Sequence, residues 1–548
     1  MIRLLLFLIC FPLASQELAD VLYGKERLNN SFSYNTINKN ILSLPLSDIE
    51  LNGNFALNIE PLGYGYTVIR DEKDLHKKSY ENFPYFDLNF LITKGSFHPE
   101  NTRLIKTSHK FWDIQFGKGV TKFDKDLDIH FVIFPFNLVH KNANCIHNGI
   151  GIFSISSSND ISNTLLQVAS ETCAYYKFDY VALYKSTFNK MSLDNNIGLE
   201  DISIVKPISS LYTNFNINNK SFADSDSFNP DDVTLFGLID GDNHYSSSCF
   251  TRLGNHPLCD QVLLPSYSLA KSIAGTLSLS LIEAEYKNVT TLKVMDLVEE
   301  CSQSKWKNIS LEDLSDMSTG QYNSLIHDID ESGIASLQFI FLLNNHKDKL
   351  KKACKAFPKK MKSGKRFVYH TSDTYILGAA MNSYLKKSDK NADFFNDYLI
   401  PFLKKNNFSQ VSNSTLRTND DANQPFTGWG MFFLQDDLLH LSQLMHTIKD
   451  NKFTDLQFMH EALNPNEDNS LLAISSSDIY YNNGIWSRKF DKAIFNCNKD
   501  VWIPFMSGFG GITLALLPNG MTYYYFSDGY TFAWESAVIA ANSIKPFC

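Results

Sequence analysis

The chain of 548 residues has no long basic run, and beyond its first residues no stretch approaches about 18 uninterrupted apolar residues. A net charge of −9 without a basic patch argues against nucleic-acid binding. The missing apolar stretch predicts that no segment spans a membrane. Hydrophobic residues make up 44% and charged residues 20%, the balance of a globular protein with a buried core. The length predicts more than one domain.

Metal-binding patterns are also missing. No two cysteines have C-x₂-C spacing and no histidine cluster joins them, which argues against zinc. Asp124, Asp126 and Asp128 alternate in a way that could suggest calcium, but the turn glycine and distal glutamate of a calcium loop are absent. A solvated strand edge is the favoured interpretation, and no metal or cofactor is predicted.

Residues 1–15 read as a signal peptide. Arg3 supplies the positive start, Leu4 to Leu13 form an apolar stretch of about ten residues, and Ala14-Ser15 resembles a cleavage site. A lipid anchor on Cys10 is the alternative, but Ile9 stands where that signal requires a small residue. We expect a soluble protein that is periplasmic or secreted.

Removal of this segment leaves eight cysteines, an even number that is consistent with four disulfides in an exported chain. The count does not fix their pairing, and neighbours in sequence are the simplest hypothesis. The expected bridges are Cys145–Cys173, Cys249–Cys259, Cys301–Cys354 and Cys497–Cys548.

The two halves of the chain differ in their patterns of apolar and polar residues. Residues 16–228 contain short alternating and aromatic runs separated by Asn, Asp, Gly and Ser, which predicts a mainly β accessory domain. The polar, aperiodic stretch NKSFADSDSFNPDD marks the predicted boundary. Residues 229–548 begin with a hairpin at Gly241-Asp242-Asn243, continue with helices and return to strands before a closing helix. This order predicts an α+β fold, an α/β sandwich with a mixed or antiparallel sheet.

Ser268 and Lys271 have the spacing Ser-x-x-Lys on a predicted helix that Ser266 is placed to cap. Residues three apart share one helix face, and a lysine with a lowered pKa can take the proton of a serine hydroxyl. The pattern alone is weak, because the chain repeats it at Ser203–Lys206, Ser302–Lys305, Ser304–Lys307 and Ser383–Lys386. The small, apolar neighbours of Ser268 distinguish it from a solvated helix face.

Five segments in order resemble the serine β-lactamase and penicillin-binding-protein superfamily, and in particular its class C β-lactamases, DD-peptidases and related esterases. They are LPSYSLAKSIAG, ISLEDLSDMSTGQY, SGKRFVYHTSDTYILGAAM, GWGMFFLQDDLLHLSQLM with Gly430 and Asp437 in register, and SGFGGITLALLPNGMTYYYFSDG. Together they extend over about 300 residues. The resemblance implies a β-lactamase/transpeptidase-like fold for residues 229–548.

The resemblance also implies residue roles. Ser268 would be the nucleophile, Lys271 its general base and Tyr369, in Tyr369-His370-Thr371, a proton relay. The backbone N–H groups of Ser268 and Phe509 would form the oxyanion hole. Substrate would contact Thr371 and the third motif, Met506-Ser507-Gly508.

Two departures from the family pattern bear on the substrate. The third motif usually begins with Lys or His, and Met506 in its place removes the cation that binds a substrate carboxylate. This argues against a penicillin-like substrate and for a small ester or amide, the closest pattern being that of nylon-oligomer hydrolases. Thr371 replaces the usual Asn or Ser. His370 is interpreted as structural, because alternation in an extended segment turns it away from Tyr369.

Three hypotheses remain open. The favoured one is an acyl-serine hydrolase acting on an ester or amide, because the Ser268, Lys271 and Tyr369 set is intact. The alternatives are a cell-wall DD-peptidase, which Met506 disfavours, and a non-catalytic binding protein on the same scaffold. The sequence does not identify the substrate, the role of the N-terminal domain or the oligomeric state.

Overall fold

The computed structural model describes residues 13–28, 30–63, 65–78, 82–158, 160–191, 203–326 and 328–548. Most of the predicted signal peptide, including Cys10, lies outside these residues. The chain divides into two compact units. The first unit comprises the residues up to Lys141 together with Cys145–Ile202 and Ser248–Leu264, and the second comprises Asn142–Asn144, Ser203–Ser247 and Pro265–Cys548.

The first unit is mainly β, as predicted, with two short helices, α1 (Leu13–Leu22) and α2 (Tyr34–Asn40). Its sheet runs β11-β1-β3-β4-β6-β7-β8-β9-β10-β2, and β5 pairs with β7. The strands are β1 (Leu51–Leu57), β2 (Tyr66–Asp71), β3 (Leu88–Thr93), β4 (Ser96–Pro99), β5 (Trp112–Phe116), β6 (Gly119–Asp124), β7 (Ile129–His140), β8 (Ile146–Ser156), β9 (Thr164–Thr172), β10 (Phe178–Tyr184) and β11 (Ser186–Lys190).

Both faces of this sheet are covered, which explains its long apolar strands. In β7, Phe134 and Phe136 belong to an aromatic-rich cluster, whereas Phe131 and Ile133 belong to the cluster that contains Leu18 of α1. Because successive strand residues point to opposite faces, the two clusters lie on the two sides of the sheet. The aspartates of the predicted strand edge lie at the β6–β7 turn, where the Asp124 carboxylate accepts from the Asp126 and Leu127 N–H groups.

The second unit confirms the predicted α+β class. Its main sheet runs β12-β14-β13-β22-β21-β20-β19-β18-β17 and is antiparallel except for the parallel pair β12–β14. The strands of this sheet are β12 (Val205–Pro207), β13 (Val233–Asp240), β14 (Asn243–Ser246), β17 (Leu471–Ile474), β18 (Ile479–Asn482), β19 (Ile485–Phe490), β20 (Val501–Gly508), β21 (Ile512–Leu516) and β22 (Met521–Ser527). Two further short strands, β15 (Leu264–Pro265) and β16 (Phe432–Phe433), lie outside it. The predicted hairpin is present, with Asp240 opposite Asn243.

The helices of the second unit pack on both faces of its main sheet. They are α3 (Ser209–Phe215), α4 (Ser278–Tyr286), α5 (Leu311–Ser315), α6 (Ile334–Phe341), α7 (His346–Lys355), α8 (Thr371–Leu385), α9 (Ile400–Lys405), α10 (Gln435–Lys449), α11 (Gln457–Leu463) and α12 (Glu535–Ile544). Tyr523 of β22 packs in one cluster with Val538 of α12. The next residue, Thr522, instead accepts a 2.7 Å hydrogen bond from Ser442 of α10. Alternation along β22 therefore places α12 and α10 on opposite faces, as in a sandwich.

The units do not follow the predicted boundary near residue 228. Val205–Pro207 pairs with β14, and Leu211 of α3 is buried in the same cluster as Phe236 of β13. Ser248–Leu264, in turn, belongs to the first unit. The polar stretch that suggested a boundary lies inside the second unit. A polar, aperiodic sequence indicates solvent exposure, but it does not indicate which sheet a segment packs against.

All four expected disulfides are confirmed: Cys145–Cys173, Cys249–Cys259, Cys301–Cys354 and Cys497–Cys548. Each joins neighbours in the sequence, so each bridge staples a local loop. In the described part of the chain, no helix has the length and apolar character needed to cross a membrane.

Candidate active site

A strained turn precedes Ser268. Tyr267 has a φ of 39°, a left-handed conformation that costs a bulky residue about 1–3 kcal/mol. The turn is held by Asn144, whose Oδ1 accepts from the Tyr267 N–H at 2.7 Å, and by Met431, whose carbonyl accepts from the Ser266 N–H at 3.0 Å. The Ser266 hydroxyl accepts from the Met431 N–H at 3.1 Å. The prediction that the Ser266 side chain caps the helix is therefore wrong, because it anchors the turn instead.

Ser268 lies directly before a helix that begins at Leu269, passes through a π-helical segment, Lys271–Leu277, and continues as α4. Lys271 Nζ donates to Ser268 Oγ at 2.9 Å, and the Tyr369 hydroxyl donates to the same oxygen at 2.6 Å. The structure thus brings together all three predicted catalytic side chains, although Ser268 and Tyr369 are 101 residues apart in the sequence. A hydroxyl between a base and a second proton carrier is the arrangement that nucleophilic catalysis requires.

Lys271 is buried, with 2% of its surface exposed. Its Nζ also donates to Thr371 Oγ1 at 2.9 Å and to the Gly428 carbonyl at 3.0 Å. Burial lowers the pKa of Lys271 to about 8, while the more distant charge of Glu331 acts in the opposite direction. A lysine with this pKa is neutral in an appreciable fraction near neutral pH and can accept a proton.

Tyr369 is held by aromatic packing. Its ring stacks on Trp486 with centroids 5.8 Å apart, and Lys271 Nζ lies 4.9 Å from its centroid. Burial raises the pKa of Tyr369 well above its usual value, and Glu331 adds to the shift. The hydroxyl therefore keeps its proton at neutral pH and is a donor toward Ser268.

Thr371 and Gly428 complete the surroundings of Lys271. A Cβ atom added to Gly428 would lie 2.5 Å from Thr374 Oγ1 and 2.9 Å from Thr371 Cγ2, so only glycine fits against the start of α8. The Thr371 N–H donates to the Glu331 carboxylate at 2.9 Å. Sequence reasoning missed Asn144 and Glu331, whose local patterns carry no catalytic signal, and it gave no role to Gly428, the first residue of the motif segment GWGMFFLQDDLLHLSQLM.

The third motif lies at the end of β20. Met506 is 1% exposed, and the Ser507 hydroxyl donates to the Ile512 carbonyl at 3.3 Å across the β20–β21 hairpin. A Cβ atom on Gly508 would approach the Ser266 carbonyl oxygen to 3.0 Å, which brings this strand end beside the Ser268 turn. Phe509 follows, with its ring 6.0 Å from that of Tyr267. The oxyanion-hole role of the Ser268 and Phe509 N–H groups stays a prediction.

Three of the four other Ser-x-x-Lys pairs have a member that bonds to a different partner. Lys206 Nζ donates to Asn243 Oδ1 at 2.7 Å, Lys305 Nζ donates to the Phe357 carbonyl at 2.7 Å, and Ser383 Oγ donates to the Leu297 carbonyl at 2.5 Å. The two remaining family positions have structural surroundings: Asp437 accepts from the Leu434 N–H at the start of α10, and the Gly430 carbonyl accepts from the Leu416 N–H.

In the described ranges, the one grouping of side chains with metal-ligand geometry is Cys145, His147 and Cys173 of the first unit. Its two sulfur atoms are already joined in a disulfide. This grouping therefore offers a metal only the imidazole of His147.

Comparison with known proteins yields likenesses among solved structures. A Bacillus anthracis protein described as a 6-aminohexanoate-dimer hydrolase matches 57% of this chain and 78% of its own, with 16% identity and a TM-score of 0.41. A protein from Bacteroides dorei DSM 17855 described as a β-lactamase matches 58% and 94%, with 13% identity and a TM-score of 0.39. A class C β-lactamase matches 62% and 93%, with 16% identity and a TM-score of 0.38.

No family model matches the chain, and no curated protein matches it.

Proposed function

We propose that the chain is an exported serine hydrolase that cleaves a carboxylic ester or amide through an acyl-Ser268 intermediate. The observation that carries the proposal is the position of Ser268 Oγ, 2.9 Å from Lys271 Nζ and 2.6 Å from the Tyr369 hydroxyl. Four disulfides and the signal-like first residues support export to the periplasm or the exterior.

In the proposed reaction, neutral Lys271 takes the proton of Ser268 while Ser268 Oγ bonds to the carbonyl carbon. Negative charge collects on the carbonyl oxygen, for which the Ser268 and Phe509 N–H groups are the proposed donors. The bond to the leaving alcohol or amine then breaks. Tyr369 delivers a proton to that group and is reprotonated by the Lys271 ammonium. Water attacks the acyl-enzyme along the reverse proton route and releases the acid.

The third motif supports a substrate without a carboxylate at the position where the family usually binds one. Met506 is apolar and buried, so it supplies no cation there. A small neutral ester or amide is therefore the proposed substrate class. The same feature disfavours the DD-peptidase alternative, for which a substrate carboxylate would be expected.

The test is a reaction of the full chain with a small fluorophosphonate, followed by intact-mass measurement. We expect one adduct in the wild type, none in Ser268→Ala, and an unchanged adduct in Ser302→Ala, a matched control from another Ser-x-x-Lys pair. Ester and amide panels then define the substrate.

An adduct that persists in Ser268→Ala would refute the assigned nucleophile. A folded wild type that never reacts would favour the non-catalytic binding protein. Acylation of Ser268 by penicillin would restore the DD-peptidase alternative.

A further inference from the structure

His370 stands between two residues of the proposed site but faces away from it. Its backbone is extended, with φ −140° and ψ 112°, so its side chain points opposite to that of Tyr369. The ring is 1% exposed and stacks on Phe357 with centroids 3.8 Å apart and planes 9° apart. The prediction from alternation is met, yet the surroundings of this ring are not those of a simple core histidine.

Two buried carboxylates flank the imidazole. His370 Nε2 lies 3.2 Å from Asp330 Oδ2, and Nδ1 lies 3.6 Å from Asp373 Oδ2. Both aspartate side chains are 4% exposed. Buried carboxylates are costly unless they are paired, so the imidazole and the carboxylates stabilise one another most strongly while the imidazole is charged.

Asp330 and the next residue, Glu331, connect the segment 323–331 to the proposed site. The Asp330 carboxylate accepts from the Asn323 N–H at 2.8 Å and from the Ser324 N–H at 3.1 Å. The next residue, Glu331, accepts from the Thr371 N–H at 2.9 Å. The segment is thus bonded to both residues that follow Tyr369, and those bonds fix the backbone from which Tyr369 and Thr371 project.

The charges that act on His370 are mostly negative. Burial alone would lower its pKa, but Asp330 and Asp373 outweigh that effect with a contribution from Glu331, and the pKa of His370 is raised to about 9. A cation, Lys305, also interacts electrostatically with Asp373. His370 is therefore an imidazolium at neutral pH.

We infer that His370 is a positioning residue: its imidazolium, held between Asp330 and Asp373, keeps Tyr369 and Thr371 in place beside Ser268 and Lys271. The inference rests on the proposed function and adds to it an upper pH limit. When the imidazolium loses its proton, both carboxylates lose their charged partner, and the hold of Asp330 and Asp373 on the Tyr369–Thr371 backbone weakens. Catalytic turnover then falls although Ser268, Lys271 and Tyr369 are all present.

The experiment measures the rate of fluorophosphonate labelling of the full chain from pH 6 to 10.5, with circular dichroism to confirm folding at each pH. We expect the wild-type rate to fall as pH rises through about 9. In Asp330→Asn the fall should begin about 1–3 pH units lower, because the strongest partner of the imidazolium is lost. Asp373→Asn should shift it less, because that carboxylate is farther away.

Asp436→Asn is the matched control, since Asp436 pairs with His440 at 3.5 Å on α10. In Asp436→Asn, the labelling rate should fall at the same alkaline pH as in the wild type. A merely structural role for His370 would lower thermal stability without moving the fall.

The outcomes separate the two proposals. If the labelling rate of folded Asp330→Asn or Asp373→Asn falls at the same alkaline pH as that of the wild type, the positioning role is overturned. The proposed hydrolase function would then still stand. Absence of any adduct at every pH would overturn the proposed function, and the positioning role with it. If Asp330→Asn does not fold, Asp373→Asn decides.

Discussion

Two buried lysines of the second unit invite comparison, Lys271 beside Ser268 and Lys349 on α7. Lys349 is 0% exposed, and its Nζ donates to the Phe339 carbonyl at 2.6 Å and lies 4.9 Å from the rings of Phe339 and Phe426. Burial lowers the pKa of Lys349 to about 7, even below that of Lys271. By pKa alone, Lys349 would be the better candidate base.

Their hydrogen-bond partners separate the two lysines. Lys271 reaches two hydroxyl groups, those of Ser268 and Thr371, whereas the bonds of Lys349 end on main-chain carbonyls of α6. A base works only if a removable proton lies within its reach, so geometry decides which perturbed lysine belongs to a reaction. The aromatic surroundings of Lys349 indicate a packing role.

The largest expected difference between the two lysines is in reactivity. Lys271→Met should slow phosphonate labelling by about 10⁴-fold, because Ser268 loses its base. Lys349→Met should leave the rate close to that of the wild type, because that side chain contacts no reacting group. Labelling kinetics by intact mass measure both. Equal losses in the two folded variants would contradict the distinction.

A substitution at Tyr369 sharpens the comparison, because it removes the second hydrogen-bond donor to Ser268 and leaves Lys271 in place. Tyr369→Phe should slow labelling by about 10²-fold, since the ring packing on Trp486 is retained while the proton relay is lost. Tyr481→Phe is the control, because Tyr481 packs against the same Trp486 ring without touching Ser268. A slower Tyr481→Phe would indicate that packing, and not the hydroxyl, accounts for the loss.

The pH dependence should follow Lys271 and not Lys349. Burial lowers the pKa of Lys271 to about 8, so the neutral base and the labelling rate should increase about tenfold per pH unit below that value. Lys349→Met should leave this rising limb in place. A limb that moves in Lys349→Met, or one that continues to rise toward the usual lysine pKa, would contradict the assignment of Lys271 as the base.

The smallest expected effect is on stability. The folded pKa of Lys349 is lowered to about 7, so between pH 7 and 10 the unfolded chain binds one proton more at this position. Stability from this group therefore increases with pH, by about 1.4 kcal/mol per pH unit at most. Lys349→Met should remove that increase, as measured by denaturant unfolding from pH 7 to 9. An unchanged slope would mean that Lys349 is not deprotonated in the folded state.

Local features of the sequence predicted much of this structure. Short apolar runs predicted the strands of the first unit, because the strands of a sheet that is buried on both faces are apolar along their length. The pairing of Ser268 with Lys271 follows from helix spacing, since both residues lie within one turn. The disulfides followed from sequence proximity, which held because each bridge closes a local loop.

Contacts between distant residues could not be predicted in this way. Asn144 lies 123 residues before Tyr267, and Gly428 lies 157 residues after Lys271. Nothing near Asn144 in the chain marks it as part of the site, and the motif segment that Gly428 begins does not indicate a contact with Lys271. Each residue contributes a single main-chain or amide oxygen that packing puts in place. The prediction of the boundary between the units was wrong for the same reason. β12 pairs, and α3 packs, with a sheet whose other strands come later in the chain.

By itself, then, the sequence determined the residue types for the chemistry, their local spacing and the apolar runs that become strands. Only the tertiary structure decided which lysine faces a hydroxyl, which carboxylates surround His370 and which segment completes which sheet. The physical reason is that spacing and periodicity act over a few residues, whereas burial and charge pairing depend on segments brought together from across the chain.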